Sequence, residues 1–355
     1  MRRFIILAIL ITCSASSAQE SDKQQSEHWR LQASGTKAQL RGLSVVDKNV
    51  AWASGSEGTV IRTVDGGKSW VDVTVPEANE RQFRDIKAFS DKVAVVMQAG
   101  PNCKFFRTEN GGKSWLETFS DPREEIFFDA MSFWDDKNGI VFGDPIDGRF
   151  SMAATNDGGG SWSHIAPESR PKAEPGEAAF AASGTCLITR GKNEVWIGLG
   201  AAEKDETFRT TRALFSDDRG KTWSPRQIPI VRGETSGINS IAFVNADHGI
   251  IVGGDFNNPD DRSSVVAITD DGGKTWRKNS GEVPGGYRSC VAVASLKGRS
   301  ILVAVGINGS DLSRDFGNSW EPIGDTPFHA IEFTSDGKHG WAVGANGQVA
   351  RWIGY

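Results

Sequence analysis

One eight-residue pattern, Thr63-Val64-Asp65-Gly66-Gly67-Lys68-Ser69-Trp70, returns five more times in this chain with the same internal spacing, at 108–115, 155–162, 216–223, 269–276 and 313–320. A turn repeated six times demands an array of similar units, because one irregular core has no use for six copies of the same corner. The acidic positions are Asp65, Asp157, Asp218, Asp271 and Asp315, with Asn110 in the second copy, and the octets end in Trp70, Trp115, Trp162, Trp223, Trp276 and Trp320. Each position has a physical reason. A carboxylate just ahead of glycine can accept backbone N–H bonds inside a tight hairpin, and glycine takes positive φ without strain. The tryptophan opens the next strand as a large apolar plate, with one N–H to anchor the turn against its neighbour. Six such boxes are best read as hairpin staples that carry no chemistry.

Counting from an unboxed copy at Trp29, the tryptophans are separated by 41, 45, 47, 61, 53 and 44 residues. That is the period of a four-stranded propeller blade, about 40–50 residues, with two blades enlarged by insertions. Four short strands can be read inside each period, as in 40–46, 50–53, 59–63 and 69–74 of the first. The chain ends after three strands of a seventh unit, 328–334, 340–343 and 348–353. Its missing fourth strand is the one beginning at Trp29, so the ring is expected to close by pairing the two ends, which removes exposed sheet edges. The expected fold is therefore all-β, a seven-bladed propeller over 28–355. Blade four follows a connector rich in Pro, Glu and Ala, 167–179, and carries a long charged loop, 200–211.

Residues 1–18 read as a secretory signal, with Arg2-Arg3, an apolar run from Phe4 to Ile11 and small residues ending at Ala18. A flexible leader, 19–27, follows, and the mature chain is expected in the periplasm or outside the cell. Lipidation at Cys13 is a less favoured alternative, because Thr12 suits that processing poorly. No apolar run approaches the ~20 residues of a membrane span. The net charge of −5 argues against nucleic acid as a partner, since such binders need a basic stripe. Cys103, Cys186 and Cys290 match no metal pattern, the five histidines form no ligand pair, and neither metal nor cofactor is expected. The oxygen-rich loop 255–261 lacks the glycine and glutamate of a calcium-binding loop.

The stretches Ala51-Trp52-Ala53-Ser54-Gly55 and Gly58 through Trp70, with Phe83-Arg84-Asp85-Ile86 and Gly340-Trp341-Ala342-Val343-Gly344, resemble the repeat of the photosystem II stability and assembly factor family. The resemblance runs from about Trp29 to Tyr355. It implies a seven-bladed Asp-box propeller and, from the photosynthetic members, a non-enzymatic role in binding a newly made reaction-centre subunit. Gly143-Asp144-Pro145-Ile146-Asp147-Gly148 and the long loops of blades four and five depart from the compact repeat.

In a propeller, the loops entering the innermost strands open on the face opposite the box turns. Function is expected there, on Arg41, Arg84, Asp85, Asp129, Asn239, Tyr287, Arg288 and His329. Arginines present bidentate donors to carboxylates, so this rim is expected to capture an acidic or C-terminal segment of a protein partner, a subunit of a membrane complex among the candidates, with the propeller acting as a monomer. The rival reading is a glycoside hydrolase of sialidase or endoglucanase type, which needs two flanking carboxyls, here Asp85 and Asp129, or a tyrosine nucleophile, here Tyr287 beside Arg288. The Arg-Ile-Pro sequence of sialidases is missing.

Overall fold

The computed structural model describes residues 28–201 and 210–354. The expected signal segment, the leader, Cys13 and most of the charged loop of blade four lie outside the described residues. Within them the strands form seven four-stranded antiparallel sheets. Six sheets are consecutive hairpins. The seventh joins Ala330–Phe333, Gly340–Val343 and Val349–Trp352 to Trp29–Gln32, with Trp29 opposite Trp352 and Gln32 opposite Val349. Trp29 is 1% exposed and packs against Phe328 and Trp352 at centroid distances of 5.3 and 5.0 Å. The first strand is thus fixed by aromatic burial as well as by its ladder.

The core lies between blades. Trp52 of blade one packs with Phe83 and Ile86 of blade two, and Trp196 of blade four with Ile238 and Ile251 of blade five. Each sheet therefore buries its two faces on its neighbours, which is why a single blade cannot stand alone.

The boxes explain the hairpins. Thr63 Oγ donates to Asp65 Oδ1 at 2.9 Å and accepts from Gly67 N at 2.8 Å. Asp65 in turn accepts from Ser69 N at 3.0 Å and Ser69 Oγ at 2.6 Å. Gly66 and Gly67 hold φ of +79° and +81°. Asn110 keeps the same pattern, its Oδ1 accepting from Ser114 N and its Nδ2 donating to Ser114 Oγ. Two details differ from expectation. The turn absorbs Ser69 and Trp70, so three of the outer strands shrink to two residues each, Val71–Asp72, Ser163–His164 and Arg277–Lys278. The indole N–H reaches the preceding blade only at Trp70 and Trp115. In Trp223, Trp276 and Trp320 it closes on a glycine carbonyl of its own turn.

Candidate functional site

Four expected rim residues reach the channel by one local device. The ladder between the first and second strands of a blade slips by one residue at Arg41, at Arg84, at Asp129 and at Asn239. Each is the extra residue of a β-bulge, which bends the strand and re-aims its side chain. Together with Tyr287 and His329, these residues line a cavity of about 510 Å³ at the channel mouth.

Arg288 and Asp85 do not join them, and register explains both corrections. The backbone N–H groups of Leu40, Ile238, Arg288 and Phe328 all donate to a carbonyl of the preceding blade, on Gly344, Leu199, Gly253 and Gly306 respectively. Arg288 thus stands where other blades place a core Leu, Ile or Phe. It is 1% exposed and paired with Asp311, Nε to Oδ2 at 2.6 Å, with a further bond to the Tyr287 carbonyl. A buried ion pair of this kind holds a loop together and offers nothing to a partner. Asp85 follows its bulge by one residue and so turns the other way. Its carboxylate accepts from Ile86 N at 2.8 Å and Met131 N at 2.7 Å, tying blade two to blade three. Burial pushes its pKa up to about 7. With Asp85 on a separate cavity of the channel, lined also by Lys87 and Glu332, the expected hydrolase pair of Asp85 and Asp129 does not assemble.

The connector before blade four runs on past its expected end at 179 to the first strand of that blade, Leu187–Arg190. It crosses the channel as a strap that separates the two cavities. Arg84 Nη1 donates to the Ala181 carbonyl at 3.0 Å and Arg41 Nη1 to the Ala182 carbonyl at 3.4 Å. Ser183 Oγ then bonds the Ser289 carbonyl of blade six, and Thr185 Oγ bonds Ser240 Oγ of blade five. At Gly184, φ is +77° and an added Cβ would lie 2.6 Å from Asp85 Oδ2, so only glycine allows the crossing.

Electrostatically the mouth is divided. On one side are Arg41 and Arg84, half-buried, with no carboxylate within ion-pair reach among the described residues. Desolvation, then repulsion from Arg41, brings the Arg84 guanidinium down to about 10. Desolvation followed by the same two arginines holds His329 neutral, its pKa lowered to about 3. On the other side stands Asp144, which the sequence reading did not place in the site. Its Oδ1 accepts from Ala179 N of the strap at 3.2 Å, and its carboxyl lines the same cavity as that of Asp129. Two neighbouring acids withdrawn from water resist ionising together. Burial and then Asp144 drive Asp129 well above the usual range, while burial raises Asp144 to about 6. Tyr287, buried, donates its hydroxyl to Asn239 Oδ1 at 3.1 Å, and burial lifts its pKa to about 12, which does not suit a nucleophile.

Apolar side chains complete the mouth. Phe256 and Ile307 are each 41% exposed, and Phe180 of the strap meets Phe256 edge to face at 5.7 Å. Among the described residues no group of His, Cys, Asp and Glu is arranged to hold a metal ion, and no helix is long and apolar enough to cross a membrane.

The BNR/Asp-box repeat family matches residues 214–225 and 267–278, two of the six boxes. No curated protein matches in sequence. Among solved structures the chain is similar to "YCF48 bound to D1 peptide", with 16% identity over 92% of this chain and 97% of that one and a TM-score of 0.62. YCF48 from Cyanidioschyzon merolae gives 17% identity over 92% and 98%, with a TM-score of 0.63. The GH74 xyloglucanase from Xanthomonas campestris gives 16% and 0.63 over 91% of this chain, which spans about half of that enzyme, 53%. The chain is a seven-bladed propeller with BNR/Asp-box repeats, sharing its fold with the YCF48 structures.

Proposed function

We propose that this chain is a non-enzymatic, extracytoplasmic binding module, monomeric, whose channel mouth receives the carboxylate of an acidic or C-terminal segment of a protein partner. The observation that carries this reading is the pair Arg41 and Arg84. Two neighbouring guanidiniums withdrawn from water without an ion-pair contact among the described residues are a standing cost unless something anionic occupies them, and each spends only one N–H on the strap. The apolar rim of Phe256 and Ile307 offers purchase to the residues that flank such a carboxylate. A solved relative in fold with a peptide bound lends support, as does the secretory-type sequence at 1–18.

The test is fluorescence anisotropy with labelled peptides of apolar sequence ending in a free carboxylate, against the same peptides amidated. Free-acid peptides should bind at least tenfold tighter, and Arg41→Ala with Arg84→Ala should abolish the difference. Equal binding of both forms would remove the arginines from the function. Cell fractionation, with mass spectrometry of the mature N-terminus, checks the location.

A further inference from the structure

The acidic side of the same mouth is not explained by carboxylate capture. Asp129 is 1% exposed and lines the cavity, yet neither of its oxygens has a hydrogen-bond partner among the described residues. Nor does the ring require an acid there, since the bulge positions of other blades hold Arg41, Arg84 and Asn239. A buried carboxyl with acceptors to spare, open to a cavity, is placed to receive a donor from outside the chain.

The surroundings narrow that donor. Phe127 and Phe180 line the same opening, and aromatic faces accept a cation while excluding water. The charged and titratable groups facing Asp129 are Asp144, Arg84 of blade two and the Cys186 thiol at the end of the strap. Across the mouth lie Arg41, Tyr287 and neutral His329. The cavity is therefore dipolar, cationic on the side of blades one and two and acidic on the side of blade three.

We propose that the channel mouth takes a ligand carrying both charges, with a primary ammonium seated on the Asp129–Asp144 pair and a carboxylate on Arg41 and Arg84. The carboxylate half rests on the function proposed above; the ammonium half stands on Asp129 alone. Burial and the neighbouring Asp144 hold a proton on Asp129, and seating the ammonium displaces it. The pair passes from one negative charge to two, the ligand nitrogen supplies the hydrogen bonds, and one proton leaves to buffer.

Calorimetric titration of the purified chain at pH 7.5 tests this with four probes. N-acetyl-lysine carries both groups, N-acetyl-norleucine only the carboxylate, n-hexylamine only the ammonium, and free leucine an ammonium α to its carboxylate. N-acetyl-lysine should bind at least tenfold tighter than N-acetyl-norleucine. It should release close to one proton, read from heats in buffers of different ionisation enthalpy, and tighten between pH 5.5 and 7.5. Tighter binding of leucine would assign the ammonium to an α-amino group rather than a lysine side chain. Asp129→Asn, checked for folding by circular dichroism, should erase both the preference and the proton release. Equal binding of the lysine and norleucine probes overturns the ammonium site and leaves carboxylate capture standing. Binding of hexylamine without norleucine overturns carboxylate capture and leaves the ammonium site. Failure of all four overturns both. Should the variant not fold, proton release and the pH profile of the wild-type chain decide alone.

Discussion

The two faces of this ring use the same residue in opposite ways. On the box face, Asp65 is held at about 2 by the Ser69 hydroxyl and then the Ser69 N–H, and for Asp271 desolvation is outweighed by the combined bonds from Thr275 and Thr269, which hold it at about 2. At the channel mouth, Asp144 is raised to about 6 and Asp129 further still. The box acids sit where both carboxylate oxygens meet local donors. The mouth acids sit where the chain has withdrawn water and supplied almost nothing in return. The first arrangement stabilises a turn, and the second leaves capacity for a ligand.

The most severe way to break this contrast is to damage the box face. Gly273 has φ of +86°, and a Cβ there would lie 2.3 Å from Trp196 Cη2. Gly273→Val should cost about 3 kcal/mol or more in chemical denaturation, from backbone strain and overpacking together. Peptide affinity per folded molecule should not change.

Next in size is the response to pH. Asp85 at about 7, with Asp144 and Glu332 at about 6, keep protons in the folded chain that the unfolded chain has lost above the ordinary carboxylate range of about 4. Their contribution is fully present below that range and is lost as pH rises through 6 to 7. His329, lowered to about 3, works the other way between about 3 and 6.5, but the carboxyls outnumber it. The urea midpoint should therefore fall between pH 5 and 7.5, and Asp144→Asn should flatten the fall. A midpoint that rises over this window would show that the mouth acids behave like the box acids.

The smallest effect sharpens the comparison. Arg84→Met removes a desolvated charge that makes no ion-pair contact among the described residues, so stability should be unchanged or higher by at most about 1 kcal/mol, while affinity for free-acid peptides drops. A loss of several kcal/mol would make Arg84 a structural residue like Arg288.

The parts of the molecule that repeat were legible in the sequence: six octets, a tryptophan period and an unboxed Trp29 gave blade number and box positions. The mouth was legible only where a side chain could be aligned between blades. Arg41, Arg84, Asp129 and Asn239 come together, but Arg288 and Asp85 sit one residue to either side of the bulge position, and that alternation decides between channel and core. The partner of Arg288, Asp311, lies 23 residues away in the third strand of its blade, where spacing gives no warning. Asp144 stood in a stretch that visibly broke the repeat, and that irregularity was the only available signal.

The strap meets Arg41 and Arg84 through carbonyl oxygens that every amino acid possesses. Its alanines can therefore drift in identity while the route across the channel stays the same, provided Gly184 is kept. Relatives sharing this internal crossing would be found by comparing backbone paths, and a search by residue identity would pass them over.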